Sequence, residues 1–300
     1  MPFPFTAIII GLFEKILAVL MSLAVSMGMI TYETRSPDDP PADPSVPYVF
    51  ETMEAYDDYY YDRLGQDLRA GLGEEKNVLV RQVVKDGFSV CICENGTAAV
   101  TGVVLPKKTA RFPAQVEGCP VVAIVNWEES LSTYRANLHS CTSVIVPNTV
   151  EYISGPICLD TPYLQNLDLG ERVRWIYSIV YWSAGLQRVR IPDSVEVLSE
   201  ALTCCYSLKE IEFGSGLRVV DGFDFCTALK TVRLPDTVTT LGDSAFRNCG
   251  LTDIYIPASV TEISPFAFQY ESDTLTIHGV AGSYTESWAA ENGFRFVADY

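Results

Sequence analysis

The feature that most constrains this chain is a pattern that recurs every 21 to 23 residues between about residues 141 and 274. In each copy a leucine or cysteine is followed by apolar residues three and five positions later, and by proline or glycine at the sixth position. The copies begin at Cys141, Leu164, Leu186, Leu208, Leu229 and Leu251. A period of this length is typical of solenoids, in which each repeat stacks on its neighbours.

The rest of each copy continues the pattern. The ninth position has Val150, Val173, Val195, Leu217, Val238 and Val260, and the twelfth has Ile153, Ile176, Leu198, Val220, Leu241 and Ile263. This predicts a short parallel strand that ends where proline or glycine cannot continue a ladder, followed by a turn and a return segment that points these side chains inward. One coil alone cannot bury them, whereas stacked coils can.

Two positions of each predicted strand point outward, the second and the fourth, and neighbouring strands place them about 4.8 Å apart. The fourth-position column is Asp168, Arg190, Glu212, Arg233 and Tyr255, and the second-position column is Asn166, Arg188, Glu210, Thr231 and Asp253. Opposite charges on adjacent strands favour this register by up to about 1 kcal/mol per pair.

Exposed faces of solenoids commonly bind ligands, so these columns predict a binding face. Its candidate residues are Asp168, Arg188, Arg190, Glu210, Glu212, Arg233 and Tyr255. The alternative is a purely structural ladder, in which the charges only satisfy one another.

With these motifs in view, the chain resembles the BspA-type leucine-rich-repeat surface proteins of bacteria over about residues 86–298. The resemblance is carried by Ile191-Pro192-Asp193-Ser194-Val195, Ile256-Pro257-Ala258-Ser259-Val260, Ala245-Phe246-Arg247-Asn248-Cys249 and Ala267-Phe268. It implies a mainly β, right-handed leucine-rich-repeat solenoid with a short parallel sheet, and an exported adhesin or interaction protein. In the copies that start with Leu164 and Leu208, glycine replaces proline, so we expect an irregular superhelix.

Both ends of the array have the pattern of a cap. Residues 78–84, 88–93 and 98–104 are predicted to be strands, with a tight turn at Asn95-Gly96. We therefore predict an N-terminal β-hairpin cap over residues 77–125, followed by repeats over residues 126–274.

The C-terminal cap is predicted over residues 275–300. Ser283 with Glu286 predicts a capping box at the start of a helix that spans residues 284–292. Gly293 ends this helix, and residues 294–297 are predicted to form a last strand.

The N-terminal region predicts export. From Ala7 to Ile30 the chain is apolar apart from Glu14 and Lys15, and Ala24-Val25-Ser26 provides small residues for signal-peptide cleavage. Residues 1–30 are therefore predicted to be a cleaved signal peptide, with an uncleaved membrane anchor as the alternative. Either one implies a secreted or cell-surface protein.

Two acidic segments follow. Residues 31–49 include five prolines and three aspartates between residues 36 and 47, which favours an extended linker. Residues 50–76 are acidic and tyrosine-rich, and their apolar spacing from Phe50 to Leu68 favours a helix. A calcium or sulfate-type site in this segment is less well supported, because its acids lack the spacing of a calcium loop. Self-association through this segment is an open alternative.

Charge excludes one class of partner. The chain has 21 Lys and Arg against 38 Asp and Glu, which gives a formal net charge of -17. Such a chain repels a phosphate backbone, so we do not expect it to bind nucleic acid.

Signs of catalysis are scarce in the sequence. It has two histidines, His139 and His278, and lacks a glycine-rich phosphate loop, a nucleophile elbow and a His-Glu-x-x-His motif. We interpret His278, in the closing repeat, as structural, and we expect no cofactor. The alternative is a secreted hydrolase that acts on surface glycans or peptides with an unrecognised carboxylate pair.

The nine cysteines include a column that follows the repeat. Cys205, Cys226 and Cys249 precede the leucines of the following copies by two or three residues. We interpret them as buried free thiols, with disulfides and a metal site as alternatives. Cys91-x-Cys93 and the adjacent Cys204-Cys205 lack the spacing of a zinc site.

Together these patterns predict an exported, non-catalytic leucine-rich-repeat protein that binds another macromolecule through the exposed face of its repeat sheet. The expected partner is a protein or a glycan on a host, in the matrix or on a neighbouring cell. Contact with a membrane is expected only through an uncleaved N-terminal segment.

Overall fold

The computed structural model describes residues 79–93, 95–125, 137–271 and 275–299, together with two short strands nearer the N-terminus. The chain divides into two units, Met1–Glu74 and Glu75–Tyr300. The predicted signal peptide or anchor of residues 1–30 and the predicted helix within residues 50–76 lie outside the described residues. Within the described ranges, no helix has both the length and the apolar composition needed to cross a membrane.

The strands are short. In chain order they are β1 (Glu33–Thr34), β2 (Tyr48–Val49), β3 (Leu79–Lys85), β4 (Phe88–Cys93), β5 (Ala98–Val103), β6 (Thr109–Arg111), β7 (Gln115–Val116), β8 (Cys119–Val125), β9 (Ser143–Ile145), β10 (Tyr152–Ser154), β11 (Cys158–Leu159), β12 (Asn166–Asp168) and β13 (Trp175–Tyr177). They continue with β14 (Val180–Tyr181), β15 (Arg188–Arg190), β16 (Val197–Ser199), β17 (Leu202–Thr203), β18 (Glu210–Glu212), β19 (Val219–Val220), β20 (Thr231–Arg233), β21 (Thr240–Leu241), β22 (Asp253–Tyr255), β23 (Glu262–Ile263), β24 (Thr276–Gly279) and β25 (Arg295–Ala298), and the helix α1 (Tyr284–Glu291) precedes β25. In the first unit, β1 pairs in parallel with β2.

In the second unit, each repeat copy opens with a short strand that ends before its proline or glycine. These front strands form three parallel ladders, β6–β9–β12, β15–β18 and β20–β22–β24–β25. Equal positions of successive copies lie side by side, so that Arg188 pairs with Glu210 and Arg233 with Tyr255. The predicted leucine-rich-repeat solenoid and its short parallel sheet are confirmed.

A second strand in each coil belongs to a sheet that runs along the whole unit. Its parallel part has the order β5–β8–β10–β13–β16–β19–β21–β23. The return segment that the sequence predicted is therefore itself a strand. Its half-buried positions include Trp175 and Val197, and aromatic and β-branched residues of this kind favour a pleated, half-buried surface.

Within the described residues, three coils contain a third strand, and β11, β14 and β17 pair in parallel. The corner after each strand is formed by Asp160, Trp182 and Cys204, with φ of 54°, 58° and 57°. This left-handed conformation is costly for residues with a side chain. Here the N–H of each corner residue donates to a carbonyl of the next coil, at 2.9, 3.1 and 2.7 Å, which offsets part of that cost.

The stack begins one coil before the first copy that the sequence revealed. Thr109 of β6 pairs with β9, and Ile124 of β8 pairs with β10. Ala110 and Phe112 are buried at the third and fifth positions of this coil, and Pro113 follows them. The hairpin of β7 and β8 lengthens this coil. Its spacing therefore departs from the repeat period, and the sequence pattern did not reveal this copy.

The core lies inside the stacked coils. All the side chains predicted at the ninth and twelfth positions are buried, with exposures of 4% or less. Each contributes about 1.5–3 kcal/mol through its removal from water. The rings of Phe223, Phe246 and Phe268 also stack on one another in successive coils, with centroids 5.5 and 6.1 Å apart.

The N-terminal end of the stack carries an antiparallel meander. The strands β3 and β4 pair antiparallel, β4 pairs antiparallel with β5, and β5 pairs in parallel with β8. Gly96, with φ of 78°, lies in the turn between β4 and β5, and Thr97 donates its N–H to the Asn95 side chain at 3.0 Å. The three strands and the turn that the sequence predicted here are confirmed.

The C-terminal end is covered by α1 and β25. Ser283 is the N-cap of α1, and its hydroxyl accepts the N–H of Glu286 at 3.4 Å. The Glu286 carboxylate accepts the N–H of Gly282 at 2.6 Å, one residue earlier than in a standard capping box. Trp288 stacks on Phe294 at 5.6 Å, and both rings meet Phe268 of the last coil edge to face.

Candidate binding face

The front face consists of the outward side chains at the second and fourth positions of the front strands. On β15 and β20 the burial pattern is exposed, buried, exposed, as expected for a strand with one face on the core. All seven residues predicted from the sequence lie on this face: Asp168, Arg188, Arg190, Glu210, Glu212 and Arg233 are exposed, and Tyr255 is half-buried. The structure thus places them together, and their role in binding remains a prediction.

The middle of the front face, which we call the paired-charge section, contains Arg188 and Arg190 on β15 and Glu210 and Glu212 on β18. Arg188 Nη2 lies 3.3 Å from Glu210 Oε2, and both side chains are more than 60% exposed. Arg190 Nε lies 3.9 Å from Glu212 Oε1. Exposed pairs of this kind contribute about 0–1 kcal/mol each, so they cost little to open.

One expected contact of the fourth-position column does not form. The sequence suggested that Asp168 and Arg190 alternate on adjacent strands, but within the described residues β12 and β15 do not pair. Instead, Arg190 Nη1 donates to Glu171 Oε1 at 2.8 Å, and this bond raises the pKa of the guanidinium. The Asp168 carboxylate instead accepts the backbone N–H of Gly170, two residues later in the chain, at 3.0 Å.

The C-terminal part of the front face, which we call the stacked section, is formed by Arg233, Tyr255 and His278 on β20, β22 and β24. The Arg233 guanidinium lies 3.9 Å from the centroid of the Tyr255 ring. The other side of that ring stacks on His278, with centroids 4.3 Å apart and planes 16° from parallel. Cation–π contacts contribute about 0.5–1 kcal/mol at exposed sites and more when they are desolvated.

His278 also binds two carboxylates. Its Nε2 lies 2.9 Å from Asp253 Oδ1, and its Nδ1 lies 2.7 Å from Asp299 Oδ2. Desolvation lowers the pKa of His278, but the hydrogen bonds to the two aspartates outweigh it, so the pKa is raised. His278 was predicted from the sequence to be structural and was not placed on the face, although it occupies the fourth position of the closing coil and pairs with Tyr255.

The front face differs in charge from the chain as a whole. Its second and fourth positions include Arg111, Arg188, Arg190, Arg233 and Arg295 against Asp168, Glu210, Glu212 and Asp253. Cations and anions are therefore nearly balanced on this face, whereas the chain has a net charge of -17. The face is zwitterionic rather than acidic.

The cysteine column belongs to the core. The nine cysteines are free, and Cys205, Cys226 and Cys249 are fully buried, as predicted. Cys226 donates its thiol to the carbonyl of Leu202 at 3.2 Å. Burial raises the pKa of the Cys249 thiol well above its ordinary value. Among the residues that the structure describes, no group of three or more His, Cys, Asp or Glu is arranged to hold a metal ion.

Among the described residues, the carboxyl group of Asp221 most resembles a general acid, because its pKa is strongly raised. Burial raises its pKa to about 7, and the nearby carboxylates of Glu200, Asp243 and Asp224 add to this shift. Asp221 accepts the N–H of Ser244 at 2.7 Å, however, and Arg247 grips Asp224 with a bond of 2.9 Å from Nε and a second from Nη2. Both carboxylates therefore serve the packing of one coil on the next.

Stacked coils of 21 to 23 residues, each opened by a short parallel strand and filled with aliphatic side chains, define a leucine-rich-repeat solenoid. A family model described as the BspA type leucine rich repeat region matches residues 131–225 and 221–280 with six copies. The chain belongs to this family.

Several solved structures are similar to the chain. A leucine-rich repeat protein from Bacteroides capillosus is 22% identical, with 44% of this chain and 97% of that chain covered and a TM-score of 0.37. The leucine rich repeat protein of T. pallidum is 19% identical, with 72% and 98% covered and a TM-score of 0.40. A leucine rich cell surface protein from Faecalibacterium prausnitzii is 17% identical, with 66% and 76% covered and a TM-score of 0.35. No curated protein matches the chain in a sequence comparison.

Proposed function

We propose that this protein is an exported, non-catalytic binding module whose front face contacts a protein or a glycan outside the cell. The observation that carries the proposal is the arrangement of the front face: seven polar and aromatic side chains project from short strands that a buried core holds in fixed register. A stiff array of this kind presents its side chains with little loss of conformational freedom on binding.

The paired-charge section is suited to exchange its contacts. Both side chains of the Arg188–Glu210 pair are exposed to solvent. Little free energy is therefore lost when a charged group of a ligand takes the place of one of these two side chains in the ion pair. The guanidinium of Arg190 offers planar donors that match carboxylates in proteins and in acidic sugars.

The stacked section provides the complementary kind of surface. The Tyr255 ring is half-buried and held between Arg233 and His278, so it is fixed before a ligand arrives. Rigid aromatic and arginine side chains are enriched among the residues that dominate binding energies. A partner with both polar groups and a flat apolar face fits this combination.

Placement outside the cell is supported by the family and by the apolar leader predicted over residues 1–30. The nearly balanced charge of the front face on an acidic chain disfavours nucleic acid as a partner. Contact with a membrane is proposed only through an uncleaved N-terminal segment.

A pair of double variants tests the proposal. The protein is immobilised and assayed against a panel of purified matrix proteins and surface glycans, and each ligand that binds is measured again with R190A/R233A. We expect this variant to weaken binding by about tenfold or more, equivalent to about 1.4 kcal/mol. The matched control is R172A/R174A, which removes the same charge from ion-paired arginines outside the front strands, and it should bind like the wild type.

Three outcomes decide against the proposal. Equal affinities of the two double variants place the site elsewhere on the molecule. Absence of binding to every member of the panel removes the support for adhesion. Turnover of a glycan or peptide substrate above that of boiled protein favours the hydrolase instead.

A further inference from the structure

The hydrogen bonds of His278 determine its protonation state. Both ring nitrogens face a carboxylate oxygen, at 2.9 Å for Asp253 and 2.7 Å for Asp299. An ionised carboxylate only accepts hydrogen bonds, and a neutral imidazole has one N–H donor. Both bonds can therefore form together only when His278 is an imidazolium.

The two carboxylates come from different parts of the fold. Asp253 opens β22 in the last regular coil, whereas Asp299 follows β25, the strand that closes the sheet. The strand β24, which carries His278, lies between β22 and β25 in the ladder. The His278 ring thus links Asp299, in the C-terminal segment, to Asp253 on β22, which lies two strands inward from the edge strand β25.

The surroundings of His278 are mixed in charge. Among the described residues, the ionisable groups around it are Asp253 and Tyr255 on β22, Asp299 after β25 and Arg295 on β25, which acts on Asp253. Arg233 on β20 contacts the Tyr255 ring, on which His278 stacks. The His278 side chain itself is 12% exposed, so water can replace its bonds only if the segment moves.

We propose that His278 is a protonation-dependent clasp, which holds the C-terminal strand to the front sheet and sets the charge of the stacked section. The clasp is a property of the fold, and only its effect on ligand binding rests on the proposed function. Loss of the proton removes one of the two bonds and leaves two carboxylates beside the ring.

The direction of the pH dependence follows from the pKa shifts. The raised pKa of His278 means that its stabilising effect is complete below the ordinary value of about 6.5 and is lost as the pH rises through the folded-state pKa. The pKa of Asp253 is lowered, mainly by its bond to His278. Its contribution is present above the ordinary value of about 4 and is lost as the pH falls through the lower folded-state pKa. The clasp is therefore closed in mildly acidic solution and opens under alkaline conditions.

The full chain offers a direct spectroscopic test, because it has two histidines and so two imidazole C2–H signals in its proton NMR spectrum. The variant H139Q assigns them, and it leaves the clasp intact. We expect the midpoint of His278 to lie above the ordinary value of about 6.5 and to fall in D299N and in D253N. Since Asp299 is exposed and follows the last strand, D299N tests the clasp with little risk to folding.

A second measurement follows the strand itself. Amide hydrogen exchange of β25, corrected for the intrinsic effect of pH, should be slow at pH 5.5 and faster at pH 8.5 in the wild type. In D299A, which removes the partner of His278 Nδ1, it should be fast at both values. A His278 midpoint at or below the ordinary value overturns the proposal, and so does equal protection of β25 at both pH values. Neither measurement needs a ligand, so failure of the clasp is distinguishable from failure of the binding function.

Discussion

The paired-charge section and the stacked section lie on the same front sheet but are built differently. In the first, the side chains of arginines and glutamates on β15 and β18 lie 3.3 and 3.9 Å apart and are exposed to solvent. In the second, a guanidinium, a phenol ring and an imidazole lie face against face on β20, β22 and β24. Within the described residues, β18 and β20 do not pair, so a break in the ladder separates the two sections.

The difference teaches that one repeated position can serve two purposes. The outward side chains of a solenoid do not hold the core together, so their identity is free to change from coil to coil while the buried positions stay aliphatic. Exposed ion pairs leave a surface that water and ligands can reorganise, whereas stacked rings fix a surface in one geometry. We expect the two sections to respond very differently to substitution.

The largest effect is expected at the break between the sections. A Cβ atom at Gly214, which follows β18, would lie 2.3 Å from the carbonyl oxygen of Pro192 in the previous coil. We expect G214A to lower the free energy of unfolding by about 3 kcal/mol, because backbone must move to relieve the overlap. The matched control is P235A, which places alanine at the same repeat position after β20 and should cost at most about 1 kcal/mol. Urea denaturation measures both, and similar losses would show that the close approach at Gly214 is unimportant.

A smaller effect is expected in the stacked section. The variant Y255A removes the ring that Arg233 and His278 share, and we expect a loss of about 2 kcal/mol in the free energy of unfolding. Tyr163 is 58% exposed and meets His139 edge to face at 6.3 Å, so Y163A is a suitable control, with an expected loss of about 0.5 kcal/mol. Thermal or urea unfolding compares the two, and equal losses would remove the distinction between the sections.

The smallest effect is expected in the paired-charge section. A double-mutant cycle on Arg188 and Glu210 should give a coupling of at most about 0.5 kcal/mol, and the coupling should vanish in high salt. The same cycle on Arg190 and Glu171, which share a bond of 2.8 Å, should give a slightly larger value. A coupling above about 1.5 kcal/mol in either cycle would mean that this section is as rigid as its neighbour.

The sequence predicted the stack because the buried positions repeat with nearly constant spacing. It also placed the seven candidate residues on one face, since a register fixed by the core fixes the outward positions as well. It missed the coil of Thr109, where the hairpin of β7 and β8 interrupts the period. The sequence missed contacts from loops for a different reason. The ion pair between Arg190 and Glu171 depends on the conformation of the turn that carries Glu171, which the repeat spacing does not determine.

His278 shows the same limit at the C-terminal end. One of its partners, Asp253, lies one coil earlier, and the other, Asp299, comes from beyond the helix α1. Repeat spacing alone can place His278 beside Tyr255, but no pattern in the sequence predicts where a cap brings its last residues.

The most direct test of the account is site-specific photo-crosslinking to a ligand found in the panel. A photoreactive side chain replaces Thr231, which is exposed on the front strand β20, or Glu262, which is exposed on β23 of the long sheet. We predict that the ligand crosslinks at position 231 and fails to crosslink at position 262. Crosslinking at position 262 alone would show that the long sheet, and not the front face, is the surface that binds.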